Sequence, residues 1–418
     1  MLAVLAFTAC SNDRDDAGSS NNNHIWHVTL QASMGDATNR ALSESGDNIS
    51  ASFAENDEVV VIDADGSTIV GTLKAQTAGG STTLTGSLNA TSLDNGETVT
   101  LHYLSATPNY DGQVGTLEGI NSYATGTLKV ETKSPLTFES NSVSLAPQQS
   151  ITKFSFTSDG TTPVNVKTFG IAADGLVQSI AKNGTETVGA VTGTLSTPSS
   201  EVYVALRNNS GSQQTYSFYA QDNSHNWYYG TKKANLENGK NYTAEVTLTK
   251  IETTLTSSSN EGTIGVIDGL PAIVVNLGGT IGKKAVALMN AGALCPEHYG
   301  KYYTFAELSS AVSSPWHVPT QTELESFASK AKTWVSQNGV YGCKFTLGSN
   351  TLFLPAAGYY DNDPTPSTLF NPTWCYYWSS TLSGDMVNSL QFHDTSISSY
   401  TNSSYKVDGL TVRPFHAL

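Results

Sequence analysis

The chain has 418 residues, length for two or three domains that each bury a core without help from metals or disulfides. Only 14% of its residues are charged, and the formal net charge is -15. An acidic chain with no basic block argues against nucleic acid and anionic membrane surfaces as partners.

Residues 1–23 divide into a short apolar run ending in small residues and Cys10, then a polar stretch rich in Asp and Asn. The run is too short to span a bilayer. It resembles the tail of a bacterial lipoprotein signal, in which Cys10 would be acylated and residues 11–23 would serve as a tether. No basic segment precedes it and Phe7 stands where such signals usually carry Leu, so a frayed terminus with a chance cysteine is the alternative.

From residue 24 to 145 the pattern is β. Val28, Leu30 and Ala32 alternate with polar residues, Val59-Val60-Val61-Ile62 is an apolar strand, and Asp65-Gly66 marks a turn before residues 68–73. Strands are also predicted at 82–88, 98–104 and 124–130. A second β region, 146–250, predicts strands at 151–156, 164–171, 201–207, 215–220, 227–231 and 242–248. No segment here has helical apolar spacing over three turns, and short strands at such spacing indicate sandwiches.

Three stretches carry a resemblance: residues 35–42 (GDATNRAL), 49–59 (ISASFAENDEV) and 239–248 (GKNYTAEVTL). They are similar to the fimbrillin family, the subunits of Gram-negative type V pili. The resemblance implies an exported lipoprotein precursor, cleavage after Arg40 by an Arg-specific protease, and loss of the first strand around Val28 to Ala32. Other pilin subunits would then be partners by donor-strand exchange, a form of β-strand addition. A turn arginine with no such role is the alternative reading of Arg40.

Residues 251–260 form a Thr- and Ser-rich linker. Beyond it strands are predicted at 272–277 and 284–289, and helices enter for the first time. Thr304 with Glu307 and Thr320 with Glu323 are capping-box pairs. On the second helix Leu324, Phe327, Ala331, Trp334 and Val335 fall on one face, so that face packs on a sheet. Trp316, Leu324, Phe327, Trp334, Trp378 and Phe392 are expected in one core.

The landmarks Met289-Asn290-Ala291-Gly292-Ala293, Trp316-His317-Val318-Pro319-Thr320, Leu352-Phe353-Leu354-Pro355-Ala356-Ala357-Gly358, Tyr377-Trp378-Ser379-Ser380-Thr381 and Val412-Arg413-Pro414 occur in the order seen in major-paralogous-domain proteins with a C-type-lectin-like fold. The same fold carries the variable proteins of diversity-generating retroelements, in which codons between the Trp-Ser-Ser-Thr and Val-Arg-Pro strands are rewritten. Mutagenised AAC-type codons cannot yield Lys, Glu, Gln, Met or Trp, and residues 383–405 lack Lys, Glu and Trp. Gln391 and Met386 would have to be fixed or encoded otherwise.

The resemblance implies a ligand-binding face at Tyr376, Asp385, Asn388, His393, Asp394, Ser396, Tyr400, Asn402 and Tyr405. Its composition also fits, since Tyr with Ser and Asn is what loop-built binding surfaces use. A solvated β-meander is the alternative.

Little points to chemistry. The sugar-binding triplets of calcium-dependent lectins are missing, and Asp361-Asn362-Asp363 before Pro364 reads as a turn rather than a calcium loop. Cys295, Cys343 and Cys375 allow at most one disulfide and leave one buried thiol. The His residues lack metal-ligand spacing, and no nucleophile elbow or phosphate loop is present. No catalytic residue, metal or cofactor is therefore expected.

The fold predicted is mainly β, with two β-sandwich, fimbrillin-like domains (24–145 and 146–250) and an α+β C-type-lectin-like domain (261–418). The function expected is a cell-surface adhesin at the tip of a type V pilus, held at the outer membrane as a lipoprotein precursor and binding a host, microbial or glycan ligand. The strand at Val412-Arg413-Pro414, read as internal to the last domain, favours the tip position. A free surface lipoprotein that binds polysaccharide, with the β domains as spacers, is the alternative.

Overall fold

The alternation at Val28, Leu30 and Ala32 is realised in the strand β1 (Ile25–Met34), where these three residues point inward and Thr29 and Gln31 are exposed. The computed structural model describes residues 25–34, 44–45, 48–49, 52–104, 109–361, 367–369, 373–394 and 396–418, with backbone alone for 44–45, 48–49, 361, 367–369 and 396–403. Cys10 and Arg40 lie outside them. The described chain is mainly β.

In the first region β1 joins β2 (Glu58–Ile62), β3 (Ile69–Ala75), β4 (Ser81–Asn89), β5 (Thr98–Leu104), β6 (Tyr123–Lys133) and β7 (Ser142–Pro147). Their order is β7-β1-β4-β3-β2-β5-β6, and β6 pairs again with β7 through Thr125 and Ala124, closing the sheet on itself. Closure leaves no long edge exposed for unwanted pairing. Along the seam a Cβ at Gly126 would lie 2.7 Å from Ser144 O, so only glycine allows that approach. Inside, Leu73, Leu84, Leu88, Val99 and Leu101 form one core with the three inward residues of β1. Each fully buried Val or Leu there contributes roughly 1.5–3 kcal/mol.

The second region packs β8 (Ser150–Thr157), flanked by β11 (Glu201–Leu206) and β14 (Asn241–Thr247), on a sheet that includes β9 (Val166–Ala172), β10 (Val191–Ser199), β12 (Gln214–Asp222) and β13 (Trp227–Ala234). Phe154 meets Phe218 across the two sheets at 5.0 Å between centroids in an edge-on pair. Tyr110, Ile120 and Tyr123 also lie in this core, although they precede residue 145 in sequence. The strand predictions match well here, but β7 and β10 were not foreseen, because each carries a Pro and few large apolar residues.

The third region holds a four-stranded sheet of β15 (Ile264–Ile267), β16 (Leu270–Asn276), β17 (Lys283–Ala287) and β24 (Phe415–Ala417), with two further meanders. These are β18 (Lys332–Gln337), β19 (Val340–Leu347) and β20 (Asn350–Pro355), and β21 (Trp374–Ser383), β22 (Met386–His393) and β23 (Ser396–Ser404). Helix α1 (Leu308–Ala311) follows the Thr304 capping box, and α2 (Gln321–Ala328) follows the Thr320 capping box.

Three expectations need correction. Helix α2 stops at Ala328, and Trp334 and Val335 sit on β18, where β-branched and aromatic residues suit a pleated surface. Trp316 and Trp378 belong to clusters separate from that of Leu324, Phe327 and Phe392, with Trp334 half-buried beside the latter. Cys295, Cys343 and Cys375 are all free, buried thiols, so the disulfide allowed among them does not form. Within the Thr- and Ser-rich connector Leu255 is buried and Thr254 bridges to Val266.

The second and third regions share a polar joint. Gly300 N–H donates to His298 Nδ1 at 3.0 Å, which leaves the proton on Nε2 to face Asp111 Oδ2 at 3.0 Å. Burial would raise the Asp111 carboxyl, but His298 and Thr192 hold it below the usual range. Glu297 is 3% exposed and accepts from Gln337 Nε2 and Asn338 Nδ2 at 2.9 and 2.7 Å, while burial pushes its carboxyl up. Cys295 packs on Ala172 and Ala190, and the Trp227 ring enters the third core with its N–H on Gly269 O at 2.8 Å.

Candidate binding face

The scaffold of the face is fixed by side chains that reach backbone groups of other strands. Arg413, 1% exposed, donates from Nη1 to Ala287 O and from Nη2 to Phe353 O, both at 3.0 Å. Trp378 Nε1 donates to Tyr303 O at 2.5 Å, and Tyr377 Oη to Pro355 O at 2.8 Å. Buried carbonyls need such donors, and each bond is worth about 1 kcal/mol net but more when its loss strands a partner. Tyr377 on β21 is thus a core element, as the sequence predicts, whereas the strand predicted at Val412-Arg413-Pro414 does not form: Val412 is buried, but Leu410 and Thr411 make only isolated bridges and β24 begins at Phe415.

A second anchor sits at the start of α2. Glu323 accepts from Thr320 N–H at 2.8 Å, lies 3.0 Å from Lys284 Nζ and 3.1 Å from His317 Nε2. Burial alone would raise its carboxyl, but His317, the Thr320 N–H and Lys284 outweigh that and lower it to about 2.

The residues predicted for the face fall into four groups. Asp385 and Asp394 are exposed, and Tyr405 is 67% exposed. Tyr376 and His393 are half-buried. Ser396, Tyr400 and Asn402 have backbone positions on β23, opposite His393, Gln391 and Ser389, and their side chains lie outside those described.

Asn388 departs from the expectation. It is 7% exposed and donates to Gln321 Oε1 at 2.6 Å. The reason is that β22 is covered on both faces, with every residue from Val387 to Phe392 buried. A polar central strand read from composition as a surface is here a buried one whose amides and hydroxyls are satisfied internally, as with Gln391 Nε2 on Ser389 Oγ at 3.1 Å.

What the sequence reading missed is a row of aromatic rings beside that strand. Tyr359 and Tyr376 have centroids 4.8 Å apart, Trp374 and Tyr376 stack at 5.8 Å with 17° between planes, and Trp374 lies 4.7 Å from His393. All four residues are half-buried, and burial first, then Tyr359, pushes the Tyr376 hydroxyl up to about 12. Trp374 and Tyr376 share a side because strand residues alternate, and Trp374 is paired directly with His393. That period-two aromatic pair was the available signal. Rigid rings with polar tips are a surface suited to binding rather than to bond breaking. Among the described residues no group of three or more His, Cys, Asp or Glu could hold a metal ion.

No family model and no curated protein matches the chain. Solved structures with partial likeness include a candidate cell adhesion protein from Bacteroides ovatus, 16% identical over 54% of this chain and 95% of that one, with a TM-score of 0.27. A fimbrial assembly protein from Parabacteroides distasonis is 13% identical over 53% of this chain and 91% of its own, again with a TM-score of 0.27. The shaft pilin SpaA from Lactobacillus rhamnosus GG is 12% identical over 56% of this chain and 100% of its own, with a TM-score of 0.23. At these scores the likeness carries no weight for function.

Proposed function

We propose that this chain is a cell-surface adhesin that works as the tip subunit of a type V pilus, with a binding face on a lectin-like third domain. The observation that carries the binding role is the half-buried ring row Tyr359, Tyr376, Trp374 and His393, next to exposed Asp394. In this reading Tyr405 and the β23 residues extend the same face, retroelement mutagenesis varies it, and the ligand is a surface molecule of a host, a microbe or a glycan coat.

The pilus role is supported by β1. It is held between β4, antiparallel over Ile25 to Ser33, and β7, parallel over Gln31 to Met34. Its excision would leave a slot bordered by two unpaired edges and three apolar pockets, which a strand of another subunit would fill. Cleavage after Arg40 and acylation at Cys10 complete the proposal, as do domains at 24–145, 146–250 and 261–418. Filaments sheared from cells should yield a mature N-terminus reading Ala-Leu-Ser-Glu from Ala41. A mature start at Cys10 in filaments, with β1 retained, would count against this processing. For the face, Trp374→Ala with Tyr376→Ala should abolish cell binding while the chain stays folded, and unchanged binding would move the site elsewhere.

A further inference from the structure

The turn between β2 and β3 sets two carboxyls against each other. Asp63 directly follows β2 and is 5% exposed, and its carboxyl lies within hydrogen-bond reach of that of exposed Asp65. Burial first, then Asp65, pushes the Asp63 carboxyl up, opposed only by the Ser92 hydroxyl and the Thr68 backbone. No basic side chain is among the described groups that act on it, and Asp63 Oδ1 has no hydrogen-bond partner among the described residues. A buried acceptor left unmet beside a second acid is costly, and two carboxyls in contact call for a shared proton or a cation.

The turn itself does not ask for the second acid. Asp65 accepts from Ser67 N–H and Oγ at 2.7 and 2.9 Å, and from Thr68 N–H and Oγ1 at 3.0 and 3.1 Å. The second region repeats the arrangement, with Asp159 accepting from Thr161 N–H and Oγ1 at 2.8 and 2.9 Å and from Thr162 N–H and Oγ1 at 2.6 and 2.9 Å. There the residue two places earlier is Thr157. A turn of this kind closes around one aspartate, so Asp63 is an addition that the local fold does not explain.

The groups that meet here are all oxygens: two carboxyls and the hydroxyl of Ser92, which ends the short 3-10 helix Ala90–Ser92 after β4. Hard oxygen ligands without nitrogen or sulfur suit calcium. Calcium holds its ligands at roughly 2.3–2.6 Å, and neighbours in its shell are about 3 Å apart, so carboxyls already in hydrogen-bond reach need little movement to share one ion. We propose that Asp63 and Asp65, with Ser92, bind a calcium ion that ties the β2–β3 turn to the connection after β4. With two acidic ligands, water completes the shell, and the affinity falls in the weak extracellular range of about 0.1–1 mM. The site shares no residue with the aromatic row and does not rest on the adhesin reading.

The test titrates the chelator-stripped full chain with CaCl2 by calorimetry and follows Tm. Calcium should bind saturably and raise Tm, because an ion held only by the folded state stabilises it. Asp63→Asn should remove this response. Asp65→Asn, which keeps a side chain able to form the same turn, should remove it independently, while Asp159→Asn should leave it intact. The proposal is overturned if calcium does not saturate by about 10 mM, where a ~1 mM binder is roughly nine-tenths occupied. It is equally overturned if the response survives both variants, disappears in Asp159→Asn, or is matched by MgCl2, as diffuse screening of an acidic chain would be. A chain that ignores calcium but gains stability through Asp63 on acidification holds a shared proton instead, and that result also overturns it.

Discussion

In the first region most core residues are placed by alternation along a strand and by the neighbouring ladders, as Val28, Leu30 and Ala32 are from β1 and Leu84 and Leu88 from β4, with Tyr103 Oη on Asp57 Oδ2 at 2.7 Å a buried side-chain tie. In the third region many strands are short, and distant ones are tied by individual side chains, Arg413 to Ala287 and Phe353, Trp378 to Tyr303, Tyr377 to Pro355. The difference separates two ways of specifying a β fold. A core filled by periodicity tolerates loss in proportion to the volume removed, whereas one laced by buried donors fails when a single donor is lost, because its acceptors are left dry.

The largest effect is therefore expected at Arg413. Arg413→Met strands two buried carbonyls at about 1–3 kcal/mol each, so urea unfolding should show a loss of roughly 3–5 kcal/mol confined to the third region. By contrast Val28→Ala removes two methyl groups from the first core and should cost about 2 kcal/mol, cavity included. Equal losses at the two sites would erase the distinction.

The Glu323 anchor sharpens it through pH. The carboxyl titrates near 2 in the folded chain against an ordinary 4.5, so its contribution is fully present above about 4.5 and is lost as pH falls toward 2. Thermal melts should show the third region softening across that window, and Glu323→Gln should flatten that acid limb while lowering stability at neutral pH. A limb unchanged in Glu323→Gln would assign the acid sensitivity to other groups. The smallest effect is expected at Tyr405, which is 67% exposed. Tyr405→Ala should shift stability by no more than about 0.5 kcal/mol, and a larger shift in a chemical melt would place it in the fold rather than on the face.

The same contrast governs what the sequence discloses. Strands such as Thr98–Leu104 and Glu58–Ile62 were legible almost to the residue, because β-branched runs bounded by turn residues leave few alternatives. Both capping boxes were legible too, since the Thr-x-x-Glu spacing is itself the geometry. The end of α2 was not. Apolar spacing continued in phase through Trp334, and only tertiary pairing of Lys332–Gln337 with Val340–Leu347 decides for a strand. Asn388 was misjudged for a related reason, because burial of a polar strand depends on what covers it, here α2 through Gln321. Of the aromatic row, Tyr376 and His393 were named from the sequence, but Trp374 and Tyr359 were not, and Tyr359 arrives from a separate strand.

The seam around β1 has one more property, its sense of direction. One wall of the slot, β4, accepts an antiparallel partner and the other, β7, a parallel one. A ladder of fixed type on each side admits a strand in a single orientation, and the apolar pockets at every second residue admit a single phase. Any chain that took the place of β1 would enter with its N-to-C axis already dictated by the host. Where two chains do not exchange this strand reciprocally, each contact is head-to-tail, and repeated without closing a ring such contacts would generate a filament with two chemically different ends.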